Sequence, residues 1–244
     1  MKPGRIEILG VPVDSVTMNR TVELAVSFLA GNVAQSIVAV NPEKVMRARY
    51  DLRLREQLQR AGILIPDGIG VVMAARILGL GRPERVPGSE LMPVLCELAA
   101  RTGRRVFLFG AASDVNERAA QVLRERYKGL TIAGTQDGFL KEADMPGLVD
   151  RINSSQTDIL FVALGSPKQE DWIDRYLPQL TVKICQGVGG TFDVIAGRVR
   201  RAPAAFRAVH LEWFYRLVTN PQRLHRQAAL PQFAFHVLKQ RVMG

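Results

Sequence analysis

The feature that most constrains this chain is an alternation of short apolar, β-branched runs with longer stretches of helical periodicity. Strands that alternate with helices typically form a largely parallel sheet covered by helices. The sequence therefore predicts an α/β fold that is Rossmann-like, with a largely parallel sheet flanked by helices. A small N-terminal strand pair is predicted at Ile6–Leu9 and Val11–Val13. The runs predicted as sheet strands are Ser36–Val40, Ile63–Ile65, Val106–Phe109, Thr131–Ala133 and Ile159–Leu164.

Composition points to a folded intracellular protein. The two cysteines, Cys96 and Cys185, lack the spacing of metal ligands and are too few for a disulfide framework, which favours a reducing compartment. No secretory h-region is found at the N-terminus, and no apolar run approaches the ~18–20 residues of a membrane span. We therefore expect a cytoplasmic protein, unless it binds to a membrane surface.

Positive charge is concentrated at the C-terminal end. From Arg198 onward the chain has nine Lys or Arg residues and one acidic residue, Glu212, so most of the formal net charge of +10 lies there. This shift in composition predicts two parts, an α/β catalytic body at 1–197 and a basic helical C-terminal appendage at 198–244.

A glycine-rich stretch at Gln186–Asp193 follows a short apolar run. Gly187, Gly189 and Gly190 would let backbone N–H groups approach an anion, and a helix that begins near Thr191 would direct its positive end to the same place. A tight strand-to-helix turn explains the same residues equally well.

Asp67 lies in Pro66-Asp67-Gly68, directly after a predicted strand. Open α/β sheets bind their ligands at the carboxyl ends of the strands, so this position suits a catalytic side chain. The alternative is a turn aspartate that caps the following helix. The next loop carries Arg82 and Arg85, for which an ordinary solvated loop is the alternative, and Ser89 is predicted to cap the helix after it.

Three turns rich in glycine or small residues, near Gly110, Gly165 and Gly187, are predicted at one edge of the sheet. Together they favour a diphosphate ligand. The chain has no GxGxxG fingerprint and no GxxxxGK[ST] loop, so neither a nicotinamide cofactor nor ATP is indicated. It also has no DxD pair, so we expect no cofactor and no metal, and arginine, lysine and helix ends would neutralise the phosphates.

Seven motifs in one order resemble the WecG/TagA/CpsF glycosyltransferase family over nearly the whole chain. They are Pro66-Asp67-Gly68, Arg85-Val86-Pro87-Gly88, Gly134-Thr135-Gln136-Asp137-Gly138, Gly165-Ser166-Pro167-Lys168-Gln169-Glu170, Gly187–Asp193, Arg201-Ala202-Pro203 and Leu211-Glu212-Trp213 with Arg216-Leu217. The resemblance implies a doubly wound α/β fold and transfer of a sugar from a UDP donor to a polyprenyl-diphosphate-linked sugar. It also implies a C-terminal appendage that binds the inner face of the bacterial cytoplasmic membrane.

The resemblance further implies roles for individual residues. Asp67 is the implied catalytic base, Asn41 and Gln169 lie near the donor sugar, and Arg85 holds phosphate. The implied nucleotide-binding residues are Gly110, Asp137, Gly187, Gly189, Gly190 and Asp193, and Arg216, Arg223 and Arg226 are expected to contact the acceptor and the membrane.

One position departs from part of the family. The wall-teichoic-acid branch has a threonine two residues before the asparagine, whereas this chain has Ala39. The run Ala-Val-Asn-Pro-Glu-Lys is closer to the enterobacterial-common-antigen branch. The donor sugar stays open among N-acetylmannosamine, its uronic acid and a glucose-type sugar, and a homo-oligomer stays possible.

Two other classes of function remain alternatives. The basic tail suits a nucleic-acid-binding or RNA-modifying protein, which would bind RNA in a salt-sensitive manner and ignore UDP. A non-catalytic membrane-docking protein would bind anionic vesicles without sugar transfer. We favour the glycosyltransferase and expect no nucleic-acid partner.

Apolar residues of the tail recur at spacings compatible with a helix and are interleaved with basic residues. Such a segment is expected to lie on an anionic membrane, and removal of residues 221–244 is expected to leave a folded body. An amphipathic helix packed on the body is the alternative. The apolar residues are Leu224, Ala228, Phe235, Leu238 and Val242, and the basic residues are Arg223, Arg226, Lys239 and Arg241.

Overall fold

The computed structural model describes residues 4–199 and 229–243, together with Pro203 and Phe206. Arg216, Arg223 and Arg226 lie outside the described residues, as do Leu224 and Ala228. The roles predicted for them stay predictions.

Strands and helices alternate through the body, as the sequence predicts. The strands are β1 (Arg5–Ile8), β2 (Val11–Asp14), β3 (Gln35–Val40), β4 (Ile63–Pro66), β5 (Arg105–Gly110), β6 (Thr131–Gln136), β7 (Ile159–Ala163) and β8 (Ile184–Gly187). The described α-helices are α1 (Met18–Leu29), α2 (Pro42–Ala48), α3 (Leu52–Arg60), α4 (Ile69–Ile77), α5 (Gly88–Thr102), α6 (Ser113–Arg126), α7 (Met145–Ser154), α8 (Lys168–Tyr176), α9 (Thr191–Ile195) and α10 (Ala229–Met243).

Six strands form one sheet in the order β4-β3-β8-β7-β5-β6, and every neighbouring pair in it is parallel. β1 and β2 form a separate antiparallel pair. The predicted α/β fold with a parallel sheet flanked by helices is therefore confirmed, as is the N-terminal strand pair.

Side chains alternate between the two faces of the sheet and build a core on each. On β5, Val106 and Leu108 belong to the core that contains α1, α5 and α6. Their neighbours Phe107 and Phe109 belong to a core on the other face, with α7 and α8. Because helices cover both faces, the central strands β7 and β8 are buried along their whole length.

Two helix boundaries differ from the sequence prediction. The spacing of Val45, Leu52 and Leu58 predicts one helix from Asn41-Pro42 to about Arg60. The structure has two helices there, because the Asp51 side chain accepts a hydrogen bond from the Leu54 N–H and caps a new helix. Ser89 was expected to cap α5, but that helix begins two residues earlier than this cap implies, at Gly88, with Pro87 at the N-cap position.

The C-terminal helix α10 packs on the body. Phe233 and Val237 are buried in the same core as residues of α2 and α4, and α10 contacts both of those helices. The side chain of Gln240 also accepts a hydrogen bond from the Leu9 N–H in the β1–β2 turn. Residues 221–244 thus include core side chains, which argues against the expectation that the body folds unchanged without them.

Candidate functional site

Each of the six parallel strands delivers one predicted site residue or loop to the same edge of the sheet. Because carboxyl ends of parallel strands lie side by side, residues far apart in sequence meet there. In the order of the sheet, these are Asp67 after β4, Asn41 after β3, the Gly187–Gly190 loop at the end of β8, Gln169 after β7, Gly110 at the end of β5 and Asp137 after β6.

Asp67 and Asn41 form one corner of this edge. The Asp67 N–H donates to the Val40 carbonyl at 2.8 Å, which continues the β3–β4 pairing by one residue. Asn41 caps α2, its Oδ1 accepting from the Lys44 N–H at 2.8 Å. The N-cap position of α4 is held by Gly68, at a φ of 98°. Asp67 is therefore not the N-cap residue of α4, which was the alternative interpretation of this aspartate.

Arg85 lies beside the same corner. The N–H of the adjacent Val86 donates to the Pro66 carbonyl at 2.8 Å, which fixes this loop against the end of β4. The Arg85 side chain is only 18% exposed and donates to Glu90 at 3.2 Å, unlike the exposed Arg82. A solvated loop therefore accounts for Arg82 but not for Arg85.

Helix α5 begins at this edge as well. The buried Gln186 side chain donates through Nε2 to the Gly88 carbonyl at 3.1 Å, which ties the first turn of the helix to the end of β8. Pro87 provides no side-chain cap for this 15-residue helix. Its N-terminal N–H groups and positive dipole end are a favourable environment for an anion.

The amide of Gln169 packs against the end of β8. Its Oε1 accepts from the Gly189 N–H at 2.9 Å. A Cβ on Gly187 would come within 2.8 Å of the Gln169 Nε2, so no larger residue fits there without displacing this side chain. Gly187 therefore makes room for a predicted sugar-binding residue, a reason that the glycine pattern alone does not reveal.

Backbone N–H groups in the glycine-rich loop are largely used within the protein. Besides Gly189, Val188 donates to the Val162 carbonyl and Thr191 to the Val188 carbonyl. A phosphate bound to these amides would have to replace those bonds. The following helix, α9, has five residues and contains the half-buried Asp193. Nucleotide binding by Gly187, Gly189, Gly190 and Asp193 stays a prediction.

The loops at the ends of β5 and β6 are also tightly packed, and their groups make contacts within the protein. Gly110 has a φ of 115°, and a Cβ there would lie 2.5 Å from the Ala163 carbonyl oxygen, so the turn requires glycine for packing alone. The Asp137 carboxylate accepts from the N–H of Phe139 and from Gln136, and so stabilises its own loop. A role of Gly110 and Asp137 in nucleotide binding stays a prediction.

A buried ion pair that the sequence did not single out connects two of these loops. Lys44 Nζ lies 2.7 Å from Glu170 Oε1, and the side chains are only 5% and 2% exposed. Burial by itself raises the pKa of Glu170, but the Lys44 charge and its hydrogen bond outweigh burial and hold the pKa below its usual range. Each residue ends a run described in the sequence analysis, Lys44 three residues after Asn41 and Glu170 directly after Gln169, but only the fold brings them together.

Other candidate sites receive less support. Both cysteines are buried, and burial raises the pKa of Cys96 to about 12 and that of Cys185 further, so neither provides a thiolate near neutral pH.

A groove of about 390 Å³ lies between α3 and α8, lined by Leu58, Ile173 and Leu177 among others. Of the residues at the candidate site, only Glu170 is part of its lining. Within the described ranges, no group of three His, Cys, Asp or Glu residues is arranged to bind a metal.

Known proteins match this chain over nearly its whole length. The model of the glycosyl transferase WecG/TagA/CpsF family matches residues 6–244. The N-acetylglucosaminyldiphosphoundecaprenol N-acetyl-beta-D-mannosaminyltransferase of Bacillus spizizenii strain W23 is 38% identical over 227 residues, which are 93% of this chain and 88% of that protein. The protein of the same name from Staphylococcus aureus strain MRSA252 is 35% identical over 238 residues, 97% of this chain and 93% of the relative. These matches confirm the resemblance seen in the seven motifs, and the chain belongs to the WecG/TagA/CpsF family of glycosyltransferases.

Proposed function

We propose that this protein is an inverting glycosyltransferase that moves an N-acetylmannosamine-type sugar from a UDP-sugar to a polyprenyl-diphosphate-linked saccharide, in the synthesis of a bacterial cell-surface polysaccharide. The observation that carries the proposal is the convergence of six loops on one sheet edge, with Asp67 and Asn41 in one corner of it. The two relatives are named for transfer of N-acetylmannosamine to N-acetylglucosaminyl-diphospho-undecaprenol, which supports this sugar and this class of acceptor.

Asp67 is the proposed catalytic base. A sugar hydroxyl is a weak nucleophile at neutral pH, and a carboxylate within hydrogen-bond reach accepts its proton as the bond to the anomeric carbon forms. The backbone bond from Asp67 to Val40 fixes this residue to the sheet, so its position is set by β3 and β4 rather than by a free loop. A single displacement of UDP inverts the anomeric configuration.

Negative charge grows on UDP as it departs, and fixed positive groups stabilise it. Arg85 and the N-terminus of α5 are the proposed groups, because both lie next to the corner that contains Asp67. Asn41 and Gln169 are proposed to orient the donor sugar. Since Asn41 Oδ1 caps α2, its Nδ2 is the group that serves the sugar.

The proposal is tested with purified protein, a set of UDP-sugars and a polyprenyl-diphosphate-linked N-acetylglucosamine acceptor. We expect product only when donor and acceptor are both present, with UDP-N-acetylmannosamine preferred over its uronic acid and over UDP-glucose. Absence of transfer from every UDP-sugar refutes the proposal. Salt-sensitive RNA binding without a thermal shift by UDP would instead favour the nucleic-acid alternative.

We predict that transfer needs no divalent metal, because the sequence has no DxD pair to bind one beside a nucleotide diphosphate. Activity should persist within about two-fold after treatment with EDTA, measured as initial rate. If chelation abolishes turnover and magnesium or manganese restores it, the prediction is wrong.

Association with the inner face of the cytoplasmic membrane is part of the proposal. The described residues include no helix long and apolar enough to span a bilayer. Helix α10, by contrast, exposes Phe235, Leu238 and Val242 on its outer side together with the basic Lys239, and Arg241 is exposed near its end. Apolar side chains beside cations favour binding to an anionic lipid surface.

We predict that Phe235→Ser combined with Leu238→Ser weakens flotation with anionic vesicles by several-fold, because each change removes exposed apolar surface from the proposed contact. Val33→Ser, at an exposed site between α1 and β3, is the matched control and should float like the unaltered protein. Equal flotation of the double variant and the control would contradict a membrane role for α10.

A further inference from the structure

The two residues proposed to orient the donor sugar, Asn41 and Gln169, are linked through one buried ion pair. Lys44 donates its backbone N–H to Asn41 Oδ1 and its Nζ to both the Ala39 carbonyl and Glu170 Oε1. Glu170 Oε1 also accepts from Gln169 Nε2 at 3.0 Å, and Gln169 Oε1 accepts from the Gly189 N–H. An unbroken series of hydrogen bonds therefore joins β3, α2, α8 and the loop after β8.

The polarity of this series fixes the orientation of one amide. An ionised carboxylate can only accept hydrogen bonds, so the Gln169 NH₂ group must face Glu170. The amide oxygen then faces Gly189, whose N–H can only donate. Without the carboxylate, either end of the Gln169 amide could face Gly189, and only one of the two orientations makes a hydrogen bond.

Stability alone is a poor explanation for this pair. A buried ion pair is frequently no more stabilising than apolar residues of similar volume, because both charges lose their hydration. In addition, the geometry of the described residues gives the buried Glu170 Oε2 no hydrogen-bond partner, which is unfavourable for a carboxylate. The hydrogen bonds of Glu170 Oε1 are therefore better explained by the side chains that they hold in place than by their contribution to stability.

We propose that Lys44 and Glu170 are positioning residues for sugar transfer, which hold Asn41 and Gln169 in the geometry that the donor sugar requires. This inference rests on the proposed function of the site. Neither residue needs to touch the substrate. The Lys44 side chain acts through the Ala39 carbonyl, two residues before Asn41, and through Glu170, and Glu170 acts through the amide of Gln169.

The test replaces the whole pair with apolar side chains, as Lys44→Met with Glu170→Leu. We expect thermal unfolding within a few degrees of the unaltered protein, a Kd for UDP within three-fold, and a kcat that falls by 10- to 100-fold. A purely structural pair would lower the unfolding temperature and leave the kcat of the folded fraction unchanged. Arg60→Met with Asp174→Leu removes a different ion pair of α8, one that connects it to α3, and this control should retain its kcat.

Amide hydrogen exchange gives a readout that does not depend on activity. In the unaltered protein the Gly189 N–H should be protected through its bond to Gln169, and the double variant should lose at least ten-fold of that protection. If the double variant still transfers sugar at the normal rate, the positioning role is overturned while the proposed function stands. This holds whether or not the Gly189 N–H has lost its protection. If the unaltered protein transfers no sugar, the proposed function fails, and this role fails with it.

A milder variant covers the case in which the double variant does not fold. Glu170→Asp keeps the charge but withdraws the carboxylate by one methylene group from Gln169 and Lys44. We expect kcat to fall at least ten-fold, with UDP binding retained. An unchanged kcat in Glu170→Asp overturns the proposal.

Discussion

Replacement of Asp67 by asparagine is expected to lower the rate of sugar transfer by roughly 10²–10⁴-fold, the usual cost of losing a general base. The change keeps the shape of the side chain and removes its ability to accept a proton. Because the Asp67 backbone N–H is held by the Val40 carbonyl, the variant should keep the same fold at this corner. The measurement is kcat with saturating UDP-sugar, together with the Kd for UDP, which should stay within about two-fold.

Two further aspartates make this experiment specific. Asp193→Asn should raise the Kd for UDP, since Asp193 is predicted to contact the nucleotide. Asp150→Asn, an exposed position on α7, should change neither quantity. Turnover of Asp67→Asn within a few-fold of the unaltered enzyme would remove Asp67 from the role of base.

Replacement of Phe233 by alanine is expected to destabilise the protein by about 3–5 kcal/mol, the typical cost of deleting a buried aromatic side chain. Phe233 is 4% exposed and belongs to the core that α10 shares with α2 and α4. The effect should appear as a lower midpoint of denaturant unfolding. Partial loss of the packed helix would show as increased proteolysis near residue 229.

Phe235 lies two residues further along the same helix and is the matched control. It is 64% exposed, so Phe235→Ala should change the unfolding free energy by no more than about 0.5 kcal/mol. Similar losses at both positions would mean that α10 does not pack through Phe233.

The sequence was sufficient to predict most strands of the parallel sheet, because strands such as β4 and β7 are nearly continuous apolar runs with a turn signal behind them. It did not predict helix α7, and the edge strand β6 is not a continuous apolar run. The sequence also predicted that the loops near Gly110, Gly165 and Gly187 lie on one edge, which follows from their place after parallel strands. The division at residue 198 and the branch of the family stay predictions.

What the sequence could not show depends on contacts between distant segments. Lys44 and Glu170 are 126 positions apart, and each by itself is an ordinary charged residue near a helix start. Periodicity was also ambiguous in α10, which has apolar residues on two sides. The spacing drew attention to Phe235, Leu238 and Val242, whereas Phe233 and Val237 make the contact with the body. Only the position of α2 and α4 decides which side is covered.

The packing of α10 connects the C-terminal helix mechanically to the candidate site. α2 begins directly after Asn41 and α4 begins two residues after Asp67, and α10 contacts both helices, with the Phe233 ring close to Gly70 in the first turn of α4. A force on α10, from a lipid surface or from a fused tag, is therefore applied to the two helices that start beside the proposed base and the proposed sugar-binding asparagine.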